Sequence, residues 1–444
     1  MTGLLAPKPY REYGGGMSLR SLARRLRDLL LPGGSSPTAD ETTRTRPLPP
    51  VVAVAERARN VLPLGSRPMR VVYDEAVVHE SVSLKSRFLG RTARLVFKPL
   101  LRLAPLNDRT LTTLRSLDRL SARGPRSRYV EPVSFELGGV HVESMTHRYG
   151  PESEMTVLYL HGGGFFSCGI ETHRRICERL ALYTGATVIS VEYVQLPEGS
   201  VADSVNDAIT AYEALVEMSD RPDKIVVAGD SAGGYLTMKI AELAHRRGLP
   251  APAALLTFSP LLSLDPDRID KEGVARVSRV RDAYLPVGRV ALIRKRWVPE
   301  GAVIEGEVSP LDAVEHISSP SFFVAVEDEM LRPEVEAMAL MLAERGVEVE
   351  THLWRGQVHA FPVLADTLPE SRQALRLAAD FARRAVGEAS TTEHEADPTQ
   401  HDDPQHEETI SGEVVDERSA PQDDDVLEGE LVGGGRRRWF FQPG

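Results

Sequence analysis

The sequence predicts an α/β fold with a mainly parallel central sheet, helices on both faces and a helical cap. Three observations carry that prediction. From about residue 129 to residue 386, short apolar runs of strand length alternate with longer stretches of helical periodicity, the pattern of strands joined by crossover helices. One run, Thr156–Leu160, leads straight into His161-Gly162-Gly163-Gly164. Another, 224–228, leads into Gly229-Asp230-Ser231-Ala232-Gly233 and then into a helical stretch from Tyr235. In open sheets of this kind ligands bind beyond the carboxyl ends of the strands, where both glycine-rich turns lie.

Taken in order, residues 1–50 read as a flexible basic region. Within it Leu19, Leu22, Leu26 and Leu29 recur at helical spacing with Arg20, Arg24, Arg25 and Arg27 between them, a short amphipathic helix over 18–31 that Pro32-Gly33-Gly34 ends. Such a helix suits an anionic membrane surface or a partner protein, or its leucines pack on the main domain. Ser, Thr and Pro then dominate to residue 50, as in a linker. Residues 51–127, rich in arginine and with Leu111, Leu114, Leu117 and Leu120 at helical spacing, read as a helical segment that caps the site.

The main domain, 128–386, holds strand-like runs at 133–136, 140–143, 156–160, 187–191, 224–228, 253–258, 321–326 and 347–353, and closes with a helix to about Val386. Residues 264–307 break the alternation and read as a cap insertion. Residues 387–444 are acidic and, through residue 433, poor in large apolar side chains, so they are expected to be disordered. His394, His401 and His406 are too irregularly spaced there for a metal site. The chain ends on the basic and aromatic Arg436-Arg437-Arg438-Trp439-Phe440-Phe441, a second candidate contact for a membrane or partner.

The net charge is −11, but residues 1–130 carry about +14 and residues 387–444 about −12. No stacking aromatics interleave with the arginines and no nucleic-acid-binding motif is visible, which argues against a nucleic-acid partner. No apolar run reaches the length of a membrane span, and no early apolar region precedes a cleavage site, so a cytoplasmic protein is expected. The two cysteines, Cys168 and Cys177, read as reduced core residues.

The two glycine-rich turns carry the chemistry. A serine between small residues, at a strand-to-helix turn, can occupy the strained conformation of a nucleophile elbow. A glycine run after a strand can aim backbone N–H groups at a developing oxyanion. Together they form the two halves of an acyl-transfer site, in the order an α/β-hydrolase requires.

With these residues the span from about Arg128 to Val386 resembles the hormone-sensitive lipase family of α/β-hydrolases, the bacterial family IV esterases. The elbow Gly229-Asp230-Ser231-Ala232-Gly233-Gly234 is similar to the family's G-D-S-A-G-G, and Tyr193-Val194-Gln195-Leu196-Pro197-Glu198 to its Y-R-L-A-P-E. His359-Ala360-Phe361 is similar to its H-G-F. The resemblance implies Ser231 as nucleophile and His359 as general base, then acid. It implies an oxyanion hole of the Gly163, Gly164 and Ala232 N–H groups, with His161, Gly162 and Asp230 supporting the loop. For the triad acid, alignment on Leu331-Arg332 favours Glu329, with Asp328 as the alternative. Two positions depart from the family: Ser263 where an aspartate is common, and Val194 where an arginine is.

The expected function is therefore a serine carboxylesterase of short- or medium-chain acyl esters, acting on a small-molecule substrate with neither metal nor cofactor. Two alternatives stand beside it. One is a non-catalytic ligand-binding protein on the same fold, as in the plant gibberellin receptors that the family also resembles, although such receptors replace the histidine that His359 retains here. The other is a membrane- or partner-recruited scaffold in which the charged ends carry the biology.

Overall fold

Runs of Val, Ile, Leu and Phe build a single sheet of nine strands among the described residues, which in this computed structural model are 76–121, 127–264, 282–285 and 287–389. The strands are β1 (Val77–His79), β2 (Val133–Leu137), β3 (Val140–Met145), β4 (Thr156–Leu160), β5 (Thr187–Val191), β6 (Ile225–Asp230), β7 (Ala254–Phe258), β8 (Ser321–Val326) and β9 (Val349–Trp354). They lie in the order β1-β9-β8-β7-β6-β4-β5-β3-β2. Only β3 is reversed, antiparallel to both β2 and β5; every other neighbouring pair is parallel.

Because side chains alternate along a strand, each inner strand feeds two cores. On β4, Val157 and Tyr159 point to one face and Leu158 and Leu160 to the other. The first face is covered by α4 (Ile170–Thr184) and α9 (Pro369–Ala385). Helices α5 (Val201–Met218), α6 (Ala232–Arg247) and α8 (Arg332–Glu344) cover the second. Fully buried strands of this kind read as continuous apolar runs, which makes them legible in the sequence.

Helices α1 (Leu84–Thr92), α2 (Lys98–Leu103) and α3 (Asp108–Ser121) lie between β1 and β2 in the chain, with a π-helical turn, Ala93–Phe97, joining the first two. The insertion contributes α7 (Val287–Trp297). These two segments are tied together: the Arg289 guanidinium donates to the Ala104 carbonyl, and Arg296 to the Leu106 carbonyl at 2.8 Å.

The helical reading of residues 51–127 does not hold throughout. Val77–His79 is a strand, paired in parallel with His352–Trp354 at the sheet edge. Three residues show no periodicity, and their hydrogen-bond partners lie some 270 positions away, so only the tertiary fold defines them. The last strand also starts two residues later than its apolar run. The helix over 18–31, the linker to residue 50, residues 265–281 of the insertion, the tail beyond residue 389 with its three histidines, and the 436–441 end lie outside the described residues. Among those that are described, no helix is long and apolar enough to cross a membrane. Both cysteines are free thiols, Cys177 buried and Cys168 half-buried.

Candidate active site

Ser231 lies between the end of β6 and the first turn of α6 at φ 51° and ψ −113°, a conformation that residues with a Cβ rarely adopt. The chain holds it there from both sides. Its N–H donates to the Phe258 carbonyl at 3.0 Å, and its carbonyl accepts from the Leu261 and Tyr235 N–H groups at 2.9 and 3.2 Å. Glycine is required alongside: a Cβ on Gly233 would lie 1.8 Å from the Leu160 carbonyl oxygen, and one on Gly229 would lie 2.5 Å from that of Gly233. The sharp turn leaves Ser231 partly exposed while its neighbours are buried.

Two loops at the same edge of the sheet meet it. His359, in the loop after β9, sets Nε2 2.9 Å from Ser231 Oγ and Nδ1 2.8 Å from Glu329 Oε2. Glu329 follows β8, and its other oxygen, Oε1, accepts the Val326 N–H at 2.9 Å. The carboxylate that meets the imidazole is thus that of Glu329, with Asp328 its chain neighbour. The side chains of His359 and Glu329 are 5% and 1% exposed. Burial disfavours the imidazolium, but the hydrogen bond and charge of Glu329, then the charges of Asp282 and Asp230, outweigh it and raise the His359 pKa above its ordinary value.

Strands β4 and β6 pair with Leu160 opposite Gly229, so the glycine loop and the elbow leave the sheet side by side. Gly163 and Gly164 stand at φ 116° and 64°, and a Cβ on Gly163 would fall 1.8 Å from the Ser167 carbonyl oxygen. Ala232 opens α6, where the first N–H groups of a helix have no intrahelical partner and the dipole favours negative charge. Asp230 Oδ1 accepts both the Gly162 N–H at 2.9 Å and the Tyr159 hydroxyl at 2.8 Å. Burial opposes ionisation of Asp230, yet His173, 3.2 Å away, and these hydrogen bonds hold its pKa below the usual value.

His161 donates from Nδ1 to the Gly162 carbonyl at 2.7 Å and stacks on Tyr193 with ring centroids 4.3 Å apart. Burial, then the neighbouring His173, lowers its pKa to about 4, so it is a neutral brace. The Tyr193 segment is a second brace. Its hydroxyl donates to the His161 carbonyl at 2.6 Å, and the Leu196 N–H donates to the Phe165 carbonyl at 2.8 Å.

Four contributors escaped sequence reasoning. Ser259, at φ 50° after β7, accepts the Ala360 N–H on its Oγ at 3.2 Å and so fixes the loop beside His359. From the insertion, Trp297 donates its indole N–H to the Gly164 carbonyl at 2.8 Å, and its ring meets Phe165 edge-on. Tyr284 lies face to face with His359, with centroids 6.3 Å apart and 15° between planes. Asp282 accepts the Tyr284, Leu285 and Met330 N–H groups at 2.8, 2.7 and 3.0 Å, joining the insertion to the loop that carries Glu329. Of these, only Ser259 carried a signal, its place at a strand's carboxyl end. At the departure Ser263, a buried ion pair braces the loop: Glu334 accepts the Leu262 and Ser263 N–H groups, both at 3.1 Å, and Arg294 bonds Glu334 and the Ser263 carbonyl at 3.2 and 2.6 Å. Val194 is held through its backbone, its N–H on Asp207 at 2.8 Å.

Known proteins share this fold. Residues 157–363 match a family described by its α/β-hydrolase fold. Over 240 residues the chain is 35% identical to the esterase LipU of Mycobacterium tuberculosis, covering 52% of this chain and 78% of LipU. Over 241 residues it is 33% identical to the carboxylesterase/phospholipase LipF of the same strain, covering 53% of this chain and 63% of LipF. A crystal structure of an esterase from the bacterial hormone-sensitive lipase family shares the fold, with a TM-score of 0.59 at 22% identity over 69% of this chain and all of that one. The chain belongs to the hormone-sensitive lipase-like, or bacterial family IV, esterases of the α/β-hydrolase superfamily.

Proposed function

We propose that this carboxylic ester hydrolase works as a serine carboxylesterase on short- to medium-chain acyl esters, through an acyl-enzyme. Ser231 Oγ attacks the ester carbonyl carbon while its proton passes to His359 Nε2. The oxyanion accepts hydrogen bonds from the Gly163, Gly164 and Ala232 N–H groups, each such donor contributing roughly 3 kcal/mol to the transition state. His359 then returns the proton to the departing alcohol as the C–O bond breaks. Water repeats the sequence on the acyl-Ser231, with His359 again taking and returning one proton. Glu329 holds the Nδ1–H tautomer and offsets the charge of the imidazolium.

The observation that carries the reading is the unbroken line of hydrogen bonds from Glu329 through His359 to a serine held at positive φ. For acyl length, the support is the edge-on packing of Phe165, in the glycine loop, against Tyr193, Tyr235 and Trp297, aromatic bulk beside the site that favours a shorter acyl chain. A cytoplasmic location goes with the same reading. The test is hydrolysis of p-nitrophenyl esters from acetate to palmitate by wild type and Ser231→Ala. Turnover peaking at short or medium chains and lost in the variant by several orders of magnitude is expected. A folded wild type inactive on every ester would instead favour the ligand-binding alternative.

A further inference from the structure

Residues 84–103 form one contiguous helical rod made of α1, the π turn and α2. Its inner side is fixed to the domain. The Ser83 N–H and hydroxyl both donate to the Glu370 carboxylate, at 2.5 and 3.1 Å, Ala93 is buried in the core, and Lys98 Nζ donates to the Asp282 carbonyl at 2.5 Å. The outer side faces solvent with large apolar groups: Leu84, Phe88, Leu95 and Leu103 are 81%, 74%, 73% and 80% exposed, with Phe97 and Leu100 exposed among them. Lys85, Arg87, Arg91, Arg94 and Arg102 are exposed between these, and residues 84–103 contain no carboxylate.

We propose that this outer face docks the protein on an anionic lipid surface, with the leucine and phenylalanine side chains entering the acyl boundary and the cations meeting the phosphate headgroups. A contiguous apolar patch interleaved with cations is the composition of helices that lie in a membrane interface. The choice of occupant rests on charge and apolarity together. A second copy would set the same cations against their like. Residues 1–75, which carry about +5, would also be repelled. The acidic tail matches the charge, but residues 390–433 have few large apolar side chains to cover the leucines. An anionic bilayer meets both requirements. The Lys98 to Asp282 bond ties this face to the segment whose Tyr284 stacks on His359, so docking brings the flank of the active site toward the lipid.

The test uses the full chain and two variants, Phe88→Ser/Leu95→Ser/Leu103→Ser and Arg87→Glu/Arg91→Glu, sedimented with vesicles of phosphatidylcholine alone or mixed with phosphatidylglycerol. Wild type should partition onto the mixed vesicles and be released by salt, and each variant should bind at least tenfold more weakly while hydrolysing water-soluble p-nitrophenyl acetate as wild type does. The charge variant keeps the test decisive should the apolar variant fold poorly. The proposal is overturned if wild type does not partition, if folded variants bind as wild type does, or if wild type binds neutral vesicles equally well. Light scattering that finds a wild-type dimer which the apolar variant dissolves would assign the face to a second copy instead.

Discussion

Glu329→Gln replaces one oxygen by an amide nitrogen, and the surrounding donors decide which way the amide turns. Oε1 of Glu329 accepts the Val326 N–H and Oε2 accepts from His359 Nδ1. The backbone N–H can only donate, so the glutamine oxygen must face Val326 and the NH2 group must face Nδ1. Nδ1 then has to accept, the ring proton moves to Nε2, and Nε2 can no longer take the proton of Ser231. The variant also loses the charge that stabilises the imidazolium. For charges about 4 Å apart at an effective dielectric of 20 this amounts to about 4 kcal/mol, or about a thousandfold in rate. The pH profile gives an independent readout. Glu329 raises the His359 pKa against the opposing effect of burial, so its removal should move the acid limb of kcat/KM to lower pH. The assay is kcat/KM for p-nitrophenyl butyrate across pH, with circular dichroism as the check on folding. A folded variant that loses less than about tenfold and keeps its acid limb would refute the assigned relay.

Other perturbations probe the supports. Trp297→Phe keeps the ring packing but removes the donor to the Gly164 carbonyl. It should lower kcat about tenfold with KM little changed, on the basis of roughly 1–3 kcal/mol for an unpaired partner; steady-state kinetics would show it. Gly233→Ala places a Cβ 1.8 Å from the Leu160 carbonyl oxygen and should cost more than about 4 kcal/mol, seen as failure to reach a cooperative unfolding transition. Asp230→Asn leaves buried His173 without its charge partner and should destabilise by about 3–5 kcal/mol near neutral pH. The depressed Asp230 pKa contributes stability above its unfolded value of about 4 and loses it as pH falls through the folded value; the raised His173 pKa contributes below about 6.5 and loses it as pH rises through its folded value. Urea unfolding across pH should therefore show a wild-type advantage centred between those two limits and absent from the variant.

What could be read in the sequence was whatever depends on the local backbone. The glycines beside Ser231 and those after His161 announce positive φ and close approach, and the buried strands announce themselves as apolar runs. Trp297, Tyr284 and Asp282 announce nothing, because each acquires its role only when the insertion folds back on loops that are distant in sequence: the indole reaches a carbonyl 133 residues earlier. The choice between Glu329 and Asp328 was open for a similar reason. Adjacent carboxylates in a loop point different ways, and only the bond of Glu329 to Val326 fixes which one faces His359. The short strand Val77–His79 was hidden because its pairing partner, and not its composition, makes it a strand.

The central claim is that Ser231 is the nucleophile, and a fluorophosphonate probe followed by peptide mass spectrometry tests it most directly. One stoichiometric adduct is expected, on the peptide that contains Ser231, slowed severely in Glu329→Gln and absent in Ser231→Ala. An adduct on a different residue of the folded protein, or labelling that survives Ser231→Ala, would contradict it.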